Sequence, residues 1–206
     1  TKLRNLKDRL YQWQDVIIMQ LFDEMDLIND ELEKEDLIQI SEYINLYQLL
    51  RVRYLLMHNL PDDAFNIIHV IQKNEHKLSP YEANLLKHVL GIYYLAKHEN
   101  LHAVHTLKSI DESDYNNKEY TYHLAAAYHS IESPVMAYYY ADKSRQFFKE
   151  INNYLRVIDA EMLMLIQVKD DGEFKETNQR FQNLIKSCEL CHSPDRKARV
   201  LHNLAF

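Results

Sequence analysis

Glycine and proline are scarce in this chain of 206 residues, which contains 2 glycines and 4 prolines. Tight strand hairpins need residues that adopt positive φ at no cost, so a strand-rich fold has almost no material for its turns. Cysteine is equally rare, with 2 residues, which excludes a disulfide-stapled scaffold and a four-cysteine zinc site. No apolar run reaches the roughly 18 residues a membrane-spanning helix requires, and the N-terminal stretch lacks the charged, apolar and small-residue regions of a signal peptide. A glycine-rich phosphate loop is missing too. Basic residues are in the minority, 24 against 31 acidic ones, and the formal net charge of -7 makes the chain as a whole repel a phosphate backbone. A cytoplasmic protein that does not itself bind nucleic acid or membrane is expected.

What is present points to helices. Hydrophobic residues make up 47% of the chain, and the helix formers Leu, Ile, Lys, Glu, Gln and Ala are plentiful, so the fold class is all-α. Leu3, Leu6, Leu10, Trp13, Ile17, Leu21, Met25 and Ile28 recur at helical spacing and predict one long first helix. The acidic stretch "NDELEKED" interrupts this stripe, and a second helix is expected from about Asp36 to His58, before Pro61. Breaks at "NLPDD", "KLSP", "KHEN", "DESDYNN", "ESP", "INN", "KDDGE" and "HSP" cut the remainder into further helices.

Those helices repeat. "LGIYYLAKHENLHAVHTL" places Leu90, Gly91, Tyr94, Ala103 and Leu107 at the spacing of a tetratricopeptide unit, with a small residue at a helix crossing, an aromatic three later and an alanine on the second helix. Thirty-four residues on, Leu124, Ala125, Tyr128, Ala137 and Ala141 repeat the pattern. Looser copies place Ala64 after Val52 and Leu55, and Gly172, Phe174, Thr177 and Phe181 after Leu165 and Val168. The expected organisation is an N-terminal helix and acidic linker over 1–35, then tetratricopeptide-like repeats over 36–206. The repeats amount to about four antiparallel helix pairs plus the first helix of a fifth, stacked as a right-handed superhelix and cut from a longer chain.

Two short motifs suggest metal chemistry and are outweighed by their context. "HENLH" (98–102) matches the pattern in which two histidines on one helix hold zinc and a glutamate acts as base. In the repeat register His98 ends one helix and Asn100 lies in the turn, so the two imidazoles should diverge. "CELCH" (188–192) matches covalent haem attachment, yet Cys188 and Cys191 fall at a helix end just before Pro194, and stacked helices leave no space for haem. No nucleophile or carboxylate recurs beside the 11 histidines in a fixed arrangement. No enzyme activity, metal or other cofactor is expected.

More specific wording lies in "LYQLLRVRYLLMHN" (46–59), "AYYYADKSRQFFKEINNYLRVIDAEMLMLIQ" (137–167) and "RKARVLHNLAF" (196–206). These stretches resemble the tetratricopeptide region of Gram-positive peptide-pheromone receptors of the Rap, NprR and PlcR type, over about residues 36–206. The resemblance implies a concave wall that captures a short linear signalling peptide, with asparagine side chains holding the peptide backbone. Asn203 sits where the family places such a residue. By register, Arg53, His88, Ile92, Tyr122, His129, Met162, Arg199 and His202 also face the expected peptide-binding wall.

The family has several outputs. Some members carry a helix-turn-helix domain and regulate transcription, and the basic run Lys2, Arg4, Lys7 and Arg9 reads as the stretch just after one. DNA would be reached only through such a domain, which this chain does not contain, and a homodimer is an open alternative. Rap-like members instead inhibit response regulators, and a glutamine of their N-terminal bundle assists dephosphorylation. That place holds Ser41 here, with Gln39 and Gln48 out of register, which disfavours phosphatase activity. The transcriptional output is therefore the leading expectation, with a Rap-like inhibitor or a generic repeat adaptor as alternatives.

Overall fold

The computed structural model describes residues 2–34, 43–168 and 174–205. Among them are eleven α-helices: α1 (Lys2–Met19), α2 (Phe22–Glu33), α3 (Ile44–Met57), α4 (Pro61–Gln72), α5 (Pro80–Ala96), α6 (Asn100–Lys108), α7 (Tyr120–Ser130), α8 (Pro134–Glu150), α9 (Tyr154–Val168), α10 (Phe174–Leu190) and α11 (Pro194–Ala205). The described residues contain no strand. The chain forms two compact units, Thr1–Asn116 and Asn117–Phe206.

The scarce prolines and glycines each have a definite place. All four prolines, Pro61, Pro80, Pro134 and Pro194, occupy the first position of a helix, where the missing N–H is not needed and the fixed φ suits the helix. Pro80 is preceded by a full cap: the Glu82 amide donates to Ser79 Oγ at 3.3 Å and the Ser79 amide donates to Glu82 Oε2 at 2.8 Å. Six helix ends among the described residues, where glycine is the usual choice, are closed without it. Gln20, Asn59, His98, Glu132, Asn152 and His192 adopt φ between 50 and 60°. After each of them the next amide bonds back to a carbonyl near the helix end, as in Leu60 N to Leu55 O (2.9 Å), Glu99 N to Tyr94 O (2.8 Å) and Ser133 N to Tyr128 O (3.0 Å). These bonds satisfy carbonyls that the helix leaves orphaned and turn the chain back on itself.

One such stop divides the expected long first helix. Gln20 is left-handed at φ 57°, the Leu21 amide donates to Val16 O at 3.0 Å, and α2 begins at Phe22. The apolar stripe survives the break because both helices bury it: Leu10, Trp13, Ile17, Met25 and Ile28 are all enclosed, and the Trp13 indole donates to Met25 O at 3.1 Å. The expected helix start near Asp36 lies outside the described residues, as do Gln39, Ser41 and Gly172, and α3 is described from Ile44.

Within the first unit α1, α3 and α5 are neighbours in turn, with α2, α4 and α6 packed beside them; within the second, α9 packs against α7 and α11 and is flanked by α8 and α10. This alternation, in which first helices of successive pairs adjoin, is the tetratricopeptide-like arrangement. The small residues sit at the crossings. A Cβ built on Gly91 would lie 2.3 Å from Leu107 Cγ and 2.4 Å from its Cδ2. Thirty-four residues later the same two places hold Ala125 and Ala141, both fully buried in one cluster. Glycine faces leucine at one crossing and alanine faces alanine at the equivalent one, so each crossing has at least one position with no side chain larger than a methyl. Ala64, Ala103 and Ala137 are likewise fully buried.

Gly91→Ala should lower the thermal midpoint, since overpacking costs about 1–3 kcal/mol and the gain in helix propensity offsets about 1 kcal/mol. In a double-mutant cycle with Leu107→Ala, the combined loss should fall short of the sum of the single losses. Strict additivity would mean that the two side chains do not compete for space. Glu132→Gly should raise stability by up to about 1 kcal/mol by relieving a left-handed side chain, measured by chemical denaturation.

Candidate functional site

The second unit carries a continuous polar track across its three adjoining first helices. In the first half of α9, among largely apolar neighbours, Arg156 and Asp159 lie one turn apart and are both buried. The Arg156 guanidinium sits 4.0 Å from the Tyr122 ring centroid on α7 and 5.0 Å from that of Phe148 on α8. Such stacking compensates a cation for lost hydration. It also faces two carboxylates: Asp159 Oδ2 at 3.2 Å and the fully buried Glu119 at 3.9 Å.

Asp159 ties α9 to α11. Arg196 approaches it in fork fashion, Nε to Oδ1 at 2.9 Å and Nη2 to Oδ2 at 2.9 Å, and Arg199 Nη2 donates to Oδ1 at 3.0 Å. One carboxylate thus receives N–H groups from three arginines. A buried carboxylate requires this kind of saturation, because an uncompensated charge in the interior costs several kcal/mol. Burial raises the pKa of the Tyr122 hydroxyl, and the nearby Arg156 charge works in the opposite direction. The track ends one turn along α11, where Asn203 Nδ2 donates to Arg199 O at 2.9 Å and lies 3.8 Å from Met162 Sδ.

The residues expected from register, and Asn203 expected from the resemblance, fall into two sets. Tyr122, Met162, Arg199 and Asn203 belong to this track. Met162 is buried in the cluster of Ile158, Phe181 and Val200. His202 is exposed on α11, and His129, exposed at the end of α7, meets Gln167 of α9 at 3.0 Å. Arg53, His88 and Ile92 lie in the first unit. There Arg53 and His88 are buried, and Ile92 is partly buried. His88 Nδ1 is 2.8 Å from the Tyr115 hydroxyl, which in turn stacks near Tyr81. Register alone did not single out Arg156, Asp159, Arg196 or Glu119. For the first three the signal was available as charged residues at helical spacing, Arg156 with Asp159 and Arg196 with Arg199, Asp159 standing in the largely apolar stretch "VIDAEMLMLI".

The metal-like motifs are resolved by backbone geometry. His98 is left-handed in the turn and α6 begins at Asn100, so His98 and His102 do not share a helix; His102 Nδ1 instead meets Glu99 Oε2 at 3.0 Å. α10 ends at Leu190, which leaves Cys191 just past the helix and not on its last turn, because the stop at His192 closes it there. Cys188 is a buried thiol in the α9–α10–α11 core, and burial is the main reason its pKa is raised.

Fold and track define a tetratricopeptide-like helical repeat protein. No protein-family model matches the chain. In sequence it is similar to Regulatory protein RapD of Bacillus subtilis (strain 168), 22% identical over 167 residues, a match covering 78% of this chain and 47% of the relative. In structure it is similar to NprR in complex with its cognate peptide NprX, with a TM-score of 0.83 and 20% identity, covering 97% of this chain and 60% of that one. A Rap protein complexed with Competence and Sporulation Factor matches with a TM-score of 0.81 and 15% identity, covering 98% of this chain and 59% of that one. The apo quorum sensor NprR from B. thuringiensis matches with a TM-score of 0.78 and 15% identity, covering 99% of this chain and 65% of that one. The chain therefore spans about half the length of the curated relative it matches. The resemblance to the Rap and NprR type of receptor carries from sequence wording to fold. No described helix is long and apolar enough to cross a membrane.

His88 gives the first unit a pH dependence. Burial, followed by the positive charge of Arg53, holds its pKa well below the ordinary 6.5. The unfolded chain therefore takes up this proton first, so stability is full above about pH 6.5 and falls on acidification by up to about 1.4 kcal/mol per pH unit. Denaturation curves between pH 7.5 and 5 should show a shallower loss for His88→Gln; an identical slope would show that His88 is not the group responsible.

Proposed function

We propose that this chain is the peptide-binding repeat domain of a Gram-positive quorum-sensing regulator, and that a short linear signalling peptide lies along α7, α9 and α11. The observation that carries this reading is the polar track from Tyr122 through Arg156 and Asp159 to Arg199 and Asn203, held in place by buried ion pairs. An extended peptide presents alternating N–H and C=O groups. Side chains fixed by their neighbours can bond these groups without losing much further entropy. Asn203 is suited to this task, since its amide offers both a donor and an acceptor to one peptide unit. His129, Met162 and His202, which lie on the same unit, complete the proposed set. Peptide solved on NprR and on a Rap protein of the same fold supports the reading.

Occupancy acts by shifting a population between helix packings. A ligand that touches α7, α9 and α11 together favours whichever arrangement brings all three into contact with it. The output we propose is transcriptional, through a helix-turn-helix element outside this stretch. A second reading, control of a response regulator, is favoured by the similarity to RapD over 78% of the chain. Pull-down by the intact gene product separates the two, because the first predicts retention of promoter DNA and the second retention of a receiver domain.

Native mass spectrometry in the presence of short peptides from the producing organism's medium should show one peptide retained. Asn203→Ala should weaken its binding about five- to tenfold, the value of one lost hydrogen bond, with an unchanged melting temperature. Unaltered affinity would remove Asn203 from the site.

A further inference from the structure

Building on the peptide reading, we infer that the α9–α11 cluster recognises an anionic group of the ligand, a carboxylate, through the guanidinium of Arg199. Charge provides the first reason. The cluster holds three guanidinium groups, those of Arg156, Arg196 and Arg199, against two carboxylates, those of Asp159 and Glu119. Among these described groups guanidinium outnumbers carboxylate, in a chain whose formal net charge is -7. The overall acidity would favour a cationic ligand; this position favours the opposite sign.

The three arginines are not equivalent. Arg156 is buried between aromatic rings, with 6% of its side chain exposed, and Arg196 donates two nitrogens to Asp159 with 16% exposed. Arg199 gives Asp159 a single Nη2 bond of 3.0 Å and is 51% exposed. Its planar fork has five N–H donors, so most of its capacity is left for a partner arriving from solvent. Asp159 meanwhile holds the guanidinium in one orientation, which reduces the ordering cost that a flexible surface arginine would carry. Asn203 lies one turn further along the same helix, bonded to the Arg199 carbonyl, so an anion on Arg199 places the adjoining peptide backbone within reach of an amide. A peptide offers two carboxylate sources, its C-terminus and the side chains of Asp and Glu, and both fit this chemistry.

The test uses three pools of random heptapeptides with the whole chain, read by affinity selection and mass spectrometry: free-acid C-termini, the same pool amidated, and a free-acid pool lacking Asp and Glu. Retention that fails for the amidated pool and is lost in Arg199→Gln supports the proposal with the C-terminus as the source. Retention that fails only for the pool lacking Asp and Glu, and is lost in the same variant, supports it with a side chain as the source. For a selected peptide, Arg199→Gln should weaken binding about ten- to a hundredfold, and Arg199→Lys less, since it keeps the charge but not the fork. The variants should melt like the parent, because Asp159 keeps Arg156 and Arg196. Equal retention from all three pools, unchanged by Arg199→Gln, overturns the carboxylate proposal and leaves the peptide reading standing. No retention from any pool overturns both.

Discussion

Six of the described helices are stopped and reversed without glycine, and the packing of their neighbours depends on how that is done. Six residues with full side chains take the left-handed conformation, and the amide that follows each bonds back into the helix just ended. Each such residue carries a local strain of about 1 kcal/mol, offset by satisfied carbonyls and by the burial that a tight reversal permits. The reversals bring successive helices close enough for small residues to meet at their crossings. They also break motifs that look chemical on paper, since His98 and His192 are themselves two of the stops.

Close crossings leave little tolerance in volume. Gly91 faces Leu107 where, one repeat later, Ala125 and Ala141 share the space, so both crossings rely on a small residue on the first helix. Aromatic residues fill the wider gaps beside these crossings, as in the nearly parallel stack of Tyr128 and Tyr140 with centroids 5.6 Å apart. The aromatic-rich stretch "AYYYADKS" is thereby used in packing, with Ala137 and Ala141 inside and Tyr139 about half exposed.

The polar groups follow a different logic. Along α9 an apolar run is interrupted by Arg156 and Asp159, and neither could be buried alone. They are buried together with Glu119 and the face of Tyr122 and are met by Arg196 and Arg199, so the ion pairs fix how α7, α9 and α11 adjoin while leaving Arg199 half exposed. Buried ion pairs add little net stability compared with well-packed apolar groups, but they penalise any arrangement that separates them. That makes them a suitable frame for a ligand track whose geometry has to be set in advance.

Local spacing determined much of this. The all-α class, the positions of the breaks, the pairing of helices and the alanines at the crossings could be read from periodicity, because a helix repeats every few residues and each pair repeats every 34 or so. The same reasoning joined α1 and α2 into one helix, since the apolar stripe continues through Gln20 and the left-handed stop carries no glycine to announce it. Of the residues on the track, Tyr122, Met162 and Arg199 were expected from register and Asn203 from the family resemblance. Arg53 and His88 also lay on the expected face, yet the structure buries them, and register cannot distinguish a buried polar face from an open one. Only the tertiary structure decided that Asp159 gathers arginines from its own helix and from one nearly forty positions away, with separations of 37 and 40 residues to Arg196 and Arg199. A contact of that range leaves no period in the chain, because it depends on which helix faces meet.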